Sequence, residues 1–207
     1  MIKKSIKILL IILIFVSCTT NNSSSEKNVN IKDFSKYSTA TFAGGCFWCM
    51  EPPFDNLKGV KATIAGYSGG TGKNPTYNDY VSKGYIEAVQ IKYDPKFVTY
   101  EKLLSVFWRN IDPTDPSGQF YDRGHGYITA VFYHNENQRK LAVKSKNELE
   151  KSKRFDKPIA TKIIRFKNFY KAEEHHQDFY KKNPSRYYGY HKGSGREQFK
   201  KDYWPEK

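Results

Sequence analysis

The chain has 207 residues, a formal charge of +14 and a mean hydropathy of −0.74. That composition supplies one ordinary core, and no apolar run approaches the roughly 20 residues that cross a bilayer. Three cysteines are too few for a disulfide-stapled scaffold. The basic residues are scattered, with short runs such as Lys181-Lys182 and Lys200-Lys201, which suits either a solvated face or a surface near anionic head groups.

In chain order, the first segment reads as a targeting signal. Lys3, Lys4 and Lys7 precede an apolar run from Ile8 to Val16, which fits the apolar region of a secretory signal. Val16-Ser17-Cys18 and the polar stretch TTNNSSSEK then resemble a bacterial lipoprotein signal and its tether, with Phe15 where Leu is usual. The expected organisation is a signal over residues 1–17, a linker over 18–36 that starts with lipidated Cys18, and a domain over 37–207. The mature chain would carry +11 and sit on an exported, membrane-anchored face, periplasmic or extracellular. Export argues against nucleic acid as a partner. The other reading is an ordinary signal with an incidental cysteine.

No repeats follow. Residues 38–43 and 62–67 read as short buried strands, each closed by glycine. Residues 87–93 alternate Val89, Ile91 and Tyr93 with polar neighbours and stop at Asp94-Pro95. Residues 127–133 and 159–166 are further strand candidates. Leu103, Leu104, Phe107 and Ile111 share one face of a helix over 100–111. A longer, more exposed helix spans 135–153 with Asn135 as its cap, and another spans 172–182. The loop 68–77 is long and glycine-rich, the kind of place where sites are built. The mixture predicts an α+β fold: a single domain with helices packed on a mixed β-sheet in two layers.

The stretch GGCFWCMEP holds Cys46 and Cys49. Gly44 and Gly45 permit a sharp turn from the first strand, so a helix over 46–57 places Cys46 at its N-terminus. There the dipole favours a thiolate and lowers the thiol pKa from about 8.5. Pro52-Pro53 keeps the first segment of that helix short or bent. A disulfide between neighbours this close closes too small a loop to stabilise the fold. A metal site lacks two further ligands: His175 and His176 are adjacent and read as surface or local structural residues. A C-x-x-C pair at a helix start also suits a thioredoxin-like exchanger, although bulky Phe47 and Trp48 crowd its sulfur. Simple core packing of those two rings is the plainer alternative.

GGCFWCMEPPF, followed in order by GYSGGTGKNPTY, EAVQIKYDP, FWRNIDPTDP, DRGHGYITAVFY and AEEHHQDFYKKNP, resembles the peptide methionine-S-sulfoxide reductase family, MsrA. The match covers about residues 40–183, and RYYGYHKGSGREQF is similar to an extension found in part of that family. The resemblance implies Cys46 as the nucleophile that attacks the sulfoxide sulfur. It implies Phe47 and Trp48 as walls for the S-methyl group, and Glu87 as the acid that protonates the oxygen. Tyr77 and Tyr127 become phenols that hydrogen-bond this oxygen, and Asp122 a carboxylate lining the substrate site. Glu51 reads as structural, bonding backbone near the helix start. The chain departs from the family pattern in a shortened SKGYIE segment with Tyr85 where His is usual. It departs again at Gly126 and Ile128, which flank Tyr127 where Gln and Arg are more frequent.

Such chemistry leaves a Cys46 sulfenic acid. Many family members resolve it with a cysteine near the C-terminus, and none follows Cys49 here. Either Cys49 resolves it, or an external thiol reduces Cys46 directly. No bound cofactor or metal is implied, only an external reductant such as a thioredoxin-like protein or another thiol. Partners would be oxidised proteins or peptides carrying methionine-S-sulfoxide and, through the lipid anchor, a membrane; the enzyme would be monomeric. Three functions follow: an S-epimer-specific reductase, a thioredoxin-like disulfide oxidoreductase, and an inert surface lipoprotein.

Overall fold

The computed structural model describes residues 36–205. The signal over residues 1–17, Cys18 and nearly all of the tether lie outside the described residues.

Six strands form one mixed sheet in the order β7-β6-β1-β3-β2-β8. They are β1 (Ser38–Gly44), β2 (Val60–Ser68), β3 (Ile86–Tyr93), β6 (Thr129–Tyr133), β7 (Lys162–Arg165) and β8 (Phe169–Lys171); β4 (Gly118–Gln119) and β5 (Asp122–Arg123) pair separately. The β1, β2, β3, β6 and β8 pairings are antiparallel, and β6–β7 is parallel. This is the expected α+β class.

The helices cover one face. Alternation along β1 turns Ala40 and Phe42 into the main core, where Phe42 stacks on Phe54 of α1 (Phe47–Asp55) at 5.5 Å. It also stacks on Phe107 of α2 (Tyr100–Arg109) at 5.0 Å. Burying one such ring stabilises the fold by about 1.5–3 kcal/mol. Leu103, Leu104, Phe107 and Ile111 are buried as their spacing requires. Thr99 caps α2 by accepting from Lys102 N–H at 3.2 Å. In α3 (Glu136–Lys151) Asn135 is the cap and accepts from Gln138 N–H at 2.9 Å. Ala43, Ile86, Ala88, Ala130 and Phe132 form a smaller cluster beside Phe166 and Phe169.

Several boundaries differ from expectation. Residues 125–127 form a 3-10 turn rather than the start of β6, and β7 begins only at Lys162. The helix expected over 172–182 is broken: a 3-10 turn, Glu174–His176, is separated from α4 (Phe179–Lys182) by Asp178 in the left-handed region at φ 51°. The break has a cause. Gln177 turns its amide into the sheet edge, accepting from Ala65 N–H at 3.0 Å and donating to Ala65 C=O at 2.9 Å. Short β8, α5 (Pro184–Gly193) and α6 (Arg196–Tyr203) carry weak periodicity and were not anticipated.

Candidate active site

Strand β1 delivers the chain to Gly45 at φ +75°, a conformation side chains disfavour. A Cβ there would also lie 2.6 Å from Gln119 Cβ and 2.8 Å from Arg196 Nη2. Cys46 is therefore fixed as the N-cap residue of α1, and its carbonyl accepts from Cys49 N–H at 3.0 Å. Helix placement is as expected; exposure is not. Cys46 is only 6% exposed and Cys49 is buried, because Phe179 and Tyr187 pack on both, with Trp48, Tyr180 and Tyr190 around them. The segment 179–193, which the sequence reading left without a role, is the cover.

That burial overturns the simple expectation of a lowered Cys46 pKa. Burial pushes the Cys46 thiol well above its usual value, and its hydrogen bond to Cys49 adds to this. The same hydrogen bond holds Cys49 below its usual value, against burial. Both cysteines are free, buried thiols one turn apart, so the charge of each acts on the other.

Glu87 stands on β3 opposite Tyr67 of β2, and is 1% exposed. Its Oε2 accepts from Phe47 N–H at 2.9 Å, which ties the carboxyl to the first turn of the cysteine helix. Its Oε1 accepts from Tyr80 O–H at 3.4 Å. Burial, and then the neighbouring Cys46, push its pKa well above the carboxylate range. An ordinary exposed strand-start acid is thereby excluded: this is a proton-holding carboxyl beside a thiol.

Phe47 is buried against His176 at 5.0 Å and Tyr67 at 6.1 Å. Trp48 stacks on Phe179 at 3.7 Å, and its Nε1–H donates to His176 Nδ1 at 3.2 Å. His176 is thus not a surface residue; it is buried against both aromatic walls and Tyr77. Burial lowers its pKa to about 4, so it stays neutral and keeps its acceptor nitrogen for Trp48. Glu51 also differs from expectation. Its Oε1 accepts from Asp178 N–H at 3.1 Å, so it fastens the C-terminal segment to α1 rather than bonding the start of its own helix.

Tyr77 is 41% exposed at the rim, and its phenol hydrogen-bonds that of Tyr127. Tyr80, not singled out among 16 tyrosines, completes the group. It is 4% exposed and stacked on Tyr67 at 4.9 Å. The departure at Gly126 makes its room, since a Cβ there would lie 2.6 Å from the Tyr80 hydroxyl. Tyr85, the other departure, is buried and donates to the Gly72 carbonyl, pinning the glycine-rich loop. Asp122, on β5, accepts from Tyr190 O–H and pairs with Arg196 Nη2 at 3.4 Å. Among the described residues no group of three or more His, Cys, Asp or Glu could hold a metal ion.

A buried thiol pair, a protonated carboxyl, two aromatic walls and three phenols around one helix N-terminus define a thiol-based oxidoreductase. The peptide methionine sulfoxide reductase family matches residues 38–207. The chain is 54% identical over 174 residues to the peptide methionine sulfoxide reductase MsrA of Bacillus licheniformis, covering 83% of this chain and 96% of that one. It is 51% identical to the MsrA of Bacillus subtilis over 174 residues, 83% and 98% of the two chains. Among solved structures, reduced Mxr1 from Saccharomyces cerevisiae matches with a TM-score of 0.67 at 32% identity, over 72% of this chain and 87% of that one. Methionine sulfoxide reductase A of Corynebacterium diphtheriae matches at 0.64 and 28%, over 72% and 76%. The chain belongs to the peptide methionine sulfoxide reductase family.

Proposed function

We propose that this protein reduces methionine-S-sulfoxide, in oxidised proteins and peptides, to methionine through Cys46. The observation that carries the reading is the position of Glu87. A carboxyl that burial keeps protonated shares the first turn of α1 with the thiol, and the two interact electrostatically.

The Cys46 sulfur attacks the sulfoxide sulfur as its proton passes to Cys49, the thiol of the pair held below its usual pKa, while Glu87 gives its proton to the sulfoxide oxygen. The attack forms a bond between Cys46 sulfur and substrate sulfur. The protonated oxygen then passes to the Cys46 sulfur as the substrate's S–O bond and the new S–S bond break. An electron pair stays on the substrate sulfur, methionine leaves, and Cys46 is a sulfenic acid. Phe47 and Trp48 form the apolar wall for the S-methyl group. Tyr77 and Tyr127, joined by Tyr80, supply hydroxyls to the oxygen. Asp122 lies at the edge of the same site.

Cys49 then displaces water from the sulfenic acid to give a Cys46–Cys49 disulfide, since the two cysteines lie one turn apart in one buried cluster. Two electrons from an external thiol, a thioredoxin-like protein among them, return the pair to the reduced state. A disulfide exchanger acting on protein partners is not favoured, because disulfide exchange has no use for a proton-holding carboxyl tied to the first turn of the cysteine helix. On the sequence of residues 1–36, the enzyme is held on an exported face of the membrane by lipid on Cys18 and repairs exported proteins.

The test compares both sulfoxide epimers with insulin as substrates of the full-length protein and of Cys46→Ser. Turnover of the S epimer alone, lost in the variant, supports the reading. Insulin reduction without sulfoxide turnover overturns it.

A further inference from the structure

Arg196 begins α6, far from the cysteines in sequence, yet it is 4% exposed and buried beside them. Its Nη1 donates to the Gly44 carbonyl at 3.4 Å, and its Nη2 lies where a Cβ on Gly45 would come within 2.8 Å. The guanidinium therefore sits against the two residues that lead into Cys46. It also lies over the Phe120 ring at 4.6 Å and borders a cavity of about 270 Å³ with Cys49 and Tyr187.

A buried cation destabilises the fold unless a nearby anion offsets it. Asp122 is Arg196's one ion-pair partner among the described residues, at a loose 3.4 Å. Its Nε hydrogen is buried with no hydrogen-bond acceptor. Its remaining side-chain hydrogen bonds go to neutral carbonyls, of Gly44 and of Asn110 at 3.5 Å. Asp122 therefore meets the guanidinium through one loose contact, and the other Arg196 donors find no anion among the described residues. The guanidinium shares a cavity wall with Cys49 and abuts the two residues that precede Cys46.

We propose that Arg196 is the cation that holds the negative charge of the Cys46–Cys49 pair. It is a positioning residue for the thiolate, brought to the active site by the C-terminal extension. Arg196's own pKa supports this: burial opposes its charge, yet Cys49 and Cys46, followed by Tyr190 and Asp122, hold it above the usual value. The groups that face the thiols are Glu87 from β3, Asp122 from β5, Tyr187 and Tyr190 from α5, Tyr77 from the loop, and Arg196 from α6. Arg196 is the one cation among them. Glu87 and the tyrosines are neutral at pH 7, so Asp122 is its standing competitor.

The proposal rests on Cys46 and Cys49 being the redox thiols, and its test is independent of turnover. In a Cys18→Ser background, the rate of iodoacetamide alkylation of the reduced full-length protein is followed against pH. Arg196→Gln should move the alkylation curve up by at least about one pH unit, a tenfold slower reaction near neutrality. Arg196→Lys should restore most of that shift. Asp122→Asn should move the curve down, because the competing carboxylate is gone. A folded Arg196→Gln protein that alkylates like its parent overturns the proposal. Should Arg196→Gln fail to fold, Asp122→Asn decides: an unmoved curve overturns it, and a downward shift upholds it. Sulfoxide turnover that survives Cys46→Ser would instead remove the reading of the redox thiols, whatever the alkylation curves show.

Discussion

The carboxyl of Glu87 and the backbone of Phe47 are joined by a 2.9 Å hydrogen bond that spans the sheet and the cysteine helix. Through that bond one side chain caps an orphan N–H of α1 and stands ready as an acid beside the nucleophile. Its pKa is raised, so it is protonated at neutral pH and loses that proton only as pH climbs through the elevated value. Turnover should therefore fall on the alkaline side. Glu87→Gln keeps an acceptor for Phe47 N–H but cannot donate a proton. Its kcat should drop by about 10²–10⁴-fold, with little change in Tm at pH 7. Steady-state kinetics against pH check this.

Tyr80→Phe isolates a smaller effect. The Tyr80 hydroxyl favours the charged form of Glu87, so its loss should raise the Glu87 pKa further and move the alkaline limb of kcat to higher pH. The hydrogen bond is long, and its removal should cost no more than about fivefold in kcat, near 1 kcal/mol. An unmoved alkaline limb would place Tyr80 outside the proton-transfer group.

Trp48 has one face against Phe179 and its N–H committed to His176, so its orientation is fixed without substrate. Trp48→Ala should raise KM for a methionine sulfoxide peptide about tenfold or more through loss of apolar contact. The rate of Cys46 alkylation should not fall. His176→Ala should have a weaker effect in the same direction.

Glu51 provides a pH-dependence of stability. Burial raises its pKa from 4.5 to about 8, and its Oε2 has no hydrogen-bond partner. The folded state binds the proton more tightly than the unfolded chain. Its contribution is complete below pH 4.5 and is lost as pH rises towards about 8, by up to about 1.4 kcal/mol per pH unit. Glu51→Gln should flatten urea-unfolding free energy across that window and be the more stable form at pH 8.5. A parallel pH curve for parent and variant would contradict this.

The regular elements of the main core were legible because their spacing carries the information. Leu103, Leu104 and Phe107 mark one face of a helix that ends at Arg109, two residues short of buried Ile111, and Val89, Ile91 and Tyr93 alternate along β3. The cysteine turn was legible from Gly44-Gly45. What remained hidden is long-range. Gln177 breaks its helix by bonding Ala65, 112 residues away in sequence, and that anchor, with Glu51 on Asp178 and Trp48 on His176, holds His176 and Phe179 at the site. Cys46 is covered by a segment whose own pattern is weak, so neither its burial nor the reversal of its expected pKa shift could be read locally. Tyr80 had one faint signal, its place three residues after Tyr77, where the turn brings the two rings to 5.9 Å at a tilt.

A single turnover without reductant tests the central claim most directly. The reduced full-length protein, with Cys18→Ser, is mixed with excess methionine-S-sulfoxide, and methionine released per chain is counted alongside the mass of the Cys46–Cys49 peptide. The account predicts one methionine per chain with an internal disulfide in the parent, one methionine with a trapped Cys46 sulfenic acid in Cys49→Ser, and none in Cys46→Ser. Methionine released by Cys46→Ser at the parent's level would contradict it.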